Sequence, residues 1–359
     1  MSRDVSLQHS TPCASKSNKP HINVRGVPMS VPCNLITGAL GVGKSTAIRH
    51  LLKHHRPKGE RWAVLVNEVG AVPVDQAALS VDDNVVVADL PGGCLCCTLG
   101  APFDRTLKRL LRRERPDRLL IEPTGLGHPA RILQTLREGP VAASVRLGAT
   151  ITLVDPRQWR SGELADNPAW WDQIELADVL VANKADLAPS GDVAAFMGWA
   201  ADLFPPKARV EITRHGQLNP EWLSEPCDSG RSPLFPDAHQ VAAGDYVQQG
   251  AEPVDEGVWR ACGRSLGQRS VGWVFAAATV FDRQRLLRTL NELRPAQRLK
   301  GVFRTGRDWL LVNADRDGVR AEVCDWRRDS RLEVIGHEDA RALEAALLAC
   351  RRQREKDPV

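Results

Sequence analysis

The octapeptide Gly38-Ala39-Leu40-Gly41-Val42-Gly43-Lys44-Ser45 constrains this chain more than any other feature. It has the G-x-x-x-x-G-K-S spacing, follows an apolar run at 34–37 and opens a helical stretch beginning near Ser45. Glycines at those places let backbone N–H groups converge on phosphate oxygens. The lysine bridges the outer phosphates, the serine ligates Mg²⁺, and the helix N-terminus adds partial positive charge. Gly38, Gly41, Val42, Gly43, Lys44, Ser45 and Thr46 are therefore candidate nucleotide-binding residues, with Lys44 also a catalytic candidate.

The surrounding pattern supplies the sheet that such a loop needs. Short β-rich runs at 34–37, 62–67, 85–89, 118–121, 149–154, 179–182 and 210–213 alternate with helical stretches. That rhythm predicts an α/β fold, a mostly parallel sheet with helices on both faces. Residues 1–30 are polar and aperiodic and read as a disordered leader, with Met29 an alternative start of translation; 31–215 form the nucleotide-binding domain. The stretch 216–269, rich in Gly, Pro, Ser and Gln, reads as an irregular linker. Residues 270–356 predict a small α+β domain: a strand at 271–280, a helix at 282–293, strands at 301–304, 309–313, 319–323 and 332–335, and an amphipathic helix at 338–352.

Two further segments fit a nucleotide site. The apolar run 118–121 ends in Glu122, placed to hold Mg²⁺ through water as a second catalytic candidate, and Gly125 follows where the γ-phosphate would lie. Asn183-Lys184-Ala185-Asp186 follows another apolar run. An aspartate there accepts both the ring N–H and the exocyclic amine of guanine, a donor pair that adenine lacks, so GTP and GDP are expected over adenine nucleotides.

The cysteines point to a second chemistry. Nine in 359 residues is an odd count, and Cys94, Cys96 and Cys97 sit within Gly92-Gly93-Cys94-Leu95-Cys96-Cys97. Residues two apart on an extended segment face the same side, and a turn at Cys96–Cys97 brings in the third sulfur. Three thiolates suit Zn²⁺ or Cu(I) and leave one tetrahedral position open, as a metal passed on by ligand exchange requires. Cys13, Cys33, Cys227, Cys262, Cys324 and Cys350 are scattered and read as ordinary reduced thiols. Net charge is +4 without a basic block, and no long apolar run or secretory signal is present. Neither nucleic acid nor a membrane is therefore an expected partner, and a cytoplasmic location is expected.

Taken in order, the phosphate loop, Cys94-Leu95-Cys96-Cys97, Glu122-Pro123-Thr124-Gly125 and Asn183-Lys184-Ala185-Asp186 resemble the CobW-type branch of the metal-trafficking P-loop GTPases, the YeiR-like zinc-binding members in particular. The runs 63–70, 118–129, 272–275 and 299–302 extend the resemblance over most of the chain. It implies a P-loop NTPase fold of the SIMIBI type with a CobW-type C-terminal domain. It also implies a slow, Mg²⁺-dependent GTPase that binds Zn²⁺ and delivers it to a client metalloprotein, with a homodimer left open. The switch segment reads Asn67-Glu68-Val69-Gly70-Ala71, lacking the second acid common in such proteins, so Glu68 alone remains a catalytic and metal candidate there. A His-rich stretch between domains is missing; only His215 and His239 lie near it. His128 is a weaker metal candidate, its plainer reading being a surface residue at a helix start, and Trp170 and Trp171 read as packing or client-surface residues. A small-molecule kinase with structural cysteines, a zinc buffer without turnover, and a chaperone for cobalt, nickel or iron are the alternatives.

Overall fold

The computed structural model describes residues 30–66, 79, 82–89, 101–123, 129–234, 247–248, 252–265, 268–292, 298–315, 318–324, 326, 329–336 and 340–352. The first part alternates β1 (Val31–Gly38), α1 (Lys44–His54), β2 (Trp62–Val66), β3 (Val85–Asp89), α2 (Ala101–Glu114), β4 (Arg118–Glu122) and α3 (Pro129–Glu138). It continues through β5 (Val145–Val154), α4 (Pro156–Ser161), α5 (Pro168–Glu175), β6 (Val179–Ala182), α6 (Ser190–Ala201) and β7 (Arg209–Ile212). The seven strands form one sheet in the order β3-β2-β4-β1-β5-β6-β7, with every pairing parallel.

Near-continuous apolar strands are what a sheet covered on both faces demands, and β2 and β6 are buried at every position. Alternate residues of β1, β2 and β4 feed different cores. Ile36, Val64 and Leu120 pack with Ile48 and Leu51 of α1 and Phe196 of α6. Leu35, Leu65, Leu119 and Ile121 pack on the other face with Phe103 and Leu107 of α2 and Ile132 and Leu133 of α3. Trp170 is part of the first core and stacks on Trp199 at 6.1 Å between centroids, so its packing role is borne out. Because β4, β1, β5 and β6 are neighbours, the loops leaving their carboxyl ends converge beside the end of β1, where open α/β sheets bind ligands.

The second part is an antiparallel sheet: β8 (Val247–Gln248), β9 (Glu252–Asp255), β10 (Val258–Ser265), β11 (Gln268–Phe275), β12 (Arg298–Arg304), β13 (Trp309–Asp315), β14 (Gly318–Cys324) and β15 (Ser330–Ile335). Its order is β14-β13-β12-β15-β11-β10-β8, with β9 on β10. Helices α7 (Arg283–Glu292) and α8 (Ala340–Ala349) cover one face, where Leu286, Leu290, Leu343 and Leu347 meet Trp273, Phe275, Phe303, Leu310 and Leu332. The opposite face carries a smaller apolar cluster of Val302, Trp309, Leu311, Cys324 and Trp326.

Two expectations are corrected. The stretch 216–269 is not irregular throughout, since it contains β8, β9 and β10, and β10 pairs with β11 over its whole length. Its Gly- and Ser-containing composition resembles a loop, yet cross-strand hydrogen bonding to the more apolar β11 holds it as a strand. The strand expected over 271–280 ends at Phe275, where Thr279 N donates to Ala276 O at 2.9 Å and turns the chain toward α7. Among the described residues no helix is long and apolar enough to cross a membrane.

Candidate functional site

The loop between β1 and α1 has the backbone its sequence requires. Gly38 and Gly43 adopt φ of 136° and 101°. A side chain at Gly38 would bring a Cβ to 2.3 Å from the Leu153 carbonyl oxygen, and one at Gly43 would meet Asn183 Nδ2 at 2.7 Å. Glycine is thus demanded twice over, by conformation and by space. Lys44, only 6 % exposed, folds back beneath the loop, and its Nζ donates to Gly38 O at 3.0 Å and Ala39 O at 3.1 Å. Burial pushes its pKa down from 10.5 to about 8; Glu122 opposes the shift, while Arg298 and Lys300 add to it.

Ser45 lies in the first turn of α1 and Glu122 ends β4, the strand adjacent to β1. Their placement puts Ser45 Oγ 2.7 Å from Glu122 Oε1, to which it donates. A hydroxyl and a carboxylate oxygen side by side form a hard donor set, which fits Mg²⁺ and its preference for oxygen.

Past β6, Asn183 works as a strut. Its Nδ2 donates to Val42 O at 2.8 Å, and its Oδ1 accepts from Gly216 N at 3.1 Å, tying the phosphate loop to the loop after β7. Lys184 has a left-handed φ of 60° and is buried, with Nζ 3.8 Å from Asp155 Oδ2. Asp155 also caps α4 by accepting from Arg157 N. Asp186 does not line the cleft at the phosphate loop, but its Oδ2 lies 3.5 Å from Nδ1 of His215, which does.

One cleft joins these groups. Gly41, Gly43, Lys44, Ser45, Thr46, Glu122, Asn183 and Lys184 line it from the parallel sheet. His215 and Gly216, and Arg298, Lys300, Asn313 and Arg320 from the antiparallel sheet, complete it. Sequence reading did not place these last six in the site. His215 and Gly216 had one available signal, since they follow a parallel strand whose carboxyl end must share the edge of the phosphate loop. For Lys300, alternation in Arg298-Leu299-Lys300-Gly301 marks a side chain facing away from the core of its own domain, but nothing local says what it faces.

Glu68, Cys94, Cys96, Cys97, Gly125 and His128 lie outside the described residues. Along the chain, Cys94–Cys97 falls between β3 and α2, and Gly125 and His128 between β4 and α3. Cys33, Cys227, Cys262, Cys324 and Cys350 are free thiols, and burial pushes Cys33 up to about 12, which keeps it protonated and inert.

A parallel sheet whose central strand runs into a glycine-rich loop over a buried lysine defines a P-loop nucleotide-binding protein, here followed by an antiparallel α+β domain. The family profile described as "CobW/HypB/UreG, nucleotide-binding domain" matches residues 32–211, and that described as "Cobalamin synthesis protein cobW C-terminal domain" matches 270–351. The chain belongs to the CobW family. It is 37% identical over 325 residues, covering 89% of this chain and 97% of the relative, to the Zinc chaperone YeiR of Escherichia coli. It is also 30% identical over 194 residues to the Zinc chaperone CobW of a Sinorhizobium species, covering 46% of this chain and 54% of that one. With the Zinc-regulated GTPase metalloprotein activator 1 of Schizosaccharomyces pombe it shares 31% identity over 169 residues, 45% of this chain and 40% of that protein.

Proposed function

We propose that this protein is a GTPase that binds Zn²⁺ and passes it to a client metalloprotein, a zinc metallochaperone working in the cytoplasm, where thiols stay reduced. The observation that carries the reading is the pairing, in one chain, of the buried Lys44/Ser45–Glu122 constellation with the thiolate segment Cys94-Leu95-Cys96-Cys97. Similarity along nearly the whole length of a relative named a zinc chaperone supports it.

In this reading Gly38, Gly41, Val42, Gly43 and Thr46 present backbone donors to the phosphates and Gly125 adjoins the γ-phosphate. Lys44 leaves the Gly38 and Ala39 carbonyls for phosphate oxygens. Ser45 and Glu122 hold Mg²⁺, which neutralises charge on the phosphates when bound. Asp186 reads the guanine edge, Asn183 and Lys184 shape the pocket beneath it, and Glu68 positions the attacking water. Hydrolysis of this kind needs no covalent protein intermediate and rests on positioning and electrostatics. Cys94, Cys96 and Cys97 hold Zn²⁺ as cargo, with His128 a candidate fourth ligand. Because the thiolate segment stands in sequence between Glu68 and β4, a nucleotide-dependent shift of either neighbour alters sulfur geometry, so GTP favours holding the metal and GDP favours release.

The lowered Lys44 pKa gives a pH signature. Near pH 8 the empty protein holds this lysine half-protonated, and phosphate oxygens restore the ammonium. At about pH 8.5, GTP binding should take up as much as about one proton, and less at about pH 7. Calorimetry in two buffers of different ionisation heat reads this directly. The same shift makes the empty protein gain stability as pH rises from 8 toward 10.5, because over that window the unfolded chain binds a proton that the folded chain does not.

The metal half is tested by competing Zn²⁺ against a chromophoric chelator. The wild type should bind one ion per chain tightly, and Cys96→Ser should lose it while still binding GTP. Equal zinc binding in the variant would remove the thiolate site from the account.

A further inference from the structure

The nucleotide cleft is closed on one side by the second domain. Glu333 on β15, Lys300 on β12, Asn313 on β13 and Arg320 on β14 stand in a single register row across the antiparallel sheet, so their side chains share a face. That face is opposite the one covered by α7 and α8. Lys300 is only 3 % exposed, and its Nζ donates to Ser45 Oγ at 3.1 Å, across 255 residues of sequence. Arg298 and Arg320 line the same cleft, and Arg49 of α1 forms an ion pair with Glu322 of β14 beside it. The domains therefore meet at the phosphate loop through polar and charged groups.

Basic side chains gather in the cleft. Lys44, Arg298, Lys300 and Arg320 converge there with Glu122, while Glu322 is engaged by Arg49. A cleft lined mainly by cationic side chains concentrates anionic ligands.

We propose that Lys300 is a phosphate-contacting residue of the nucleotide site, supplied by the C-terminal domain, so that the site is built from both domains. The inference rests on the assignment of the loop 38–45 to nucleotide phosphates. The ammonium already touches the hydroxyl proposed to ligate Mg²⁺, and its flexible four-carbon stem allows it to shift from that oxygen to a nearby phosphate oxygen. A nucleotide then grips both domains at once, and a third phosphate strengthens the grip.

The test is titration of the full-length protein with fluorescent GTP, GDP and GMP analogues in Mg²⁺ buffer. Lys300→Met keeps an unbranched apolar stem and removes the ammonium with its hydrogen bonds. It should weaken GTP by about 10-fold or more, GDP less and GMP little, in a protein that a single cooperative melting transition shows to be folded. Lys300→Arg should recover most of the GTP affinity. GTP affinity in Lys300→Met that is unchanged, or tighter than wild type, would overturn the proposal, the latter showing that Lys300 plugs the site. A loss equal for all three nucleotides would also overturn it, as a general folding effect. Lys44→Ala in parallel separates the two levels. If it binds GTP like the wild type, the assignment of the loop itself fails; if it loses GTP while Lys300→Met does not, only the composite site fails.

Discussion

Replacing Lys44 by alanine should reduce GTP affinity by roughly 100- to 1,000-fold and abolish measurable phosphate release, the scale expected for removing one preorganised charged donor from a buried anion site. The protein should nevertheless stay folded. Two opposing effects meet at this residue: the ammonium donates to the Gly38 and Ala39 carbonyls, so its loss strands those acceptors at about 1–3 kcal/mol. Against that, lowering the lysine from 10.5 to about 8 reflects a burial penalty on the order of 3 kcal/mol, which the variant no longer bears. Stability should therefore change little while binding collapses. Affinity within a few-fold of wild type, read with a fluorescent GTP analogue, would show that the loop binds something else.

Asp186→Asn should exchange one base for another. The carboxylate accepts from both N1–H and the exocyclic amine of guanine, whereas a carboxamide accepts one hydrogen bond and donates one. The variant should lose GTP affinity by at least about 100-fold and gain xanthosine triphosphate, whose 2-oxo group accepts from the new amide. Asp186 stands beside His215 and outside the buried core, so this exchange is compatible with folding. Competition between the two triphosphates decides it; an unchanged preference for GTP would place the base elsewhere.

Much of the molecule could be read from local sequence, for identifiable reasons. Strands β3 and β6 lie where their apolar runs put them, and β6 is buried at every position, as a strand covered on both faces must be. The Gly38–Ser45 loop was legible because one turn of chain carries its whole function, and Glu122 because it ends a strand paired with β2 and neighbouring β1. Strands β8 to β10 were not, since β10 is held by pairing with β11, and β8 and β9 by pairing with β10, so no apolar run marks them. Asn183 reads in sequence as a nucleotide contact, yet its amide braces Val42 and Gly216, a task defined only by where two distant loops meet. Lys300 is the extreme case, because its contact with Ser45 depends on the docking of a separate sheet.

The central claim is that nucleotide state sets the hold on the metal, and competitive Zn²⁺ titration in the presence of a non-hydrolysable GTP analogue and then of GDP tests it most directly. The account predicts zinc affinity several-fold weaker with GDP, within the roughly 5- to 150-fold range of ordinary couplings, and an equal factor by which zinc tightens the GTP analogue relative to GDP. Equal zinc affinity in both nucleotide states would contradict it, leaving a GTPase and a metal site that do not communicate.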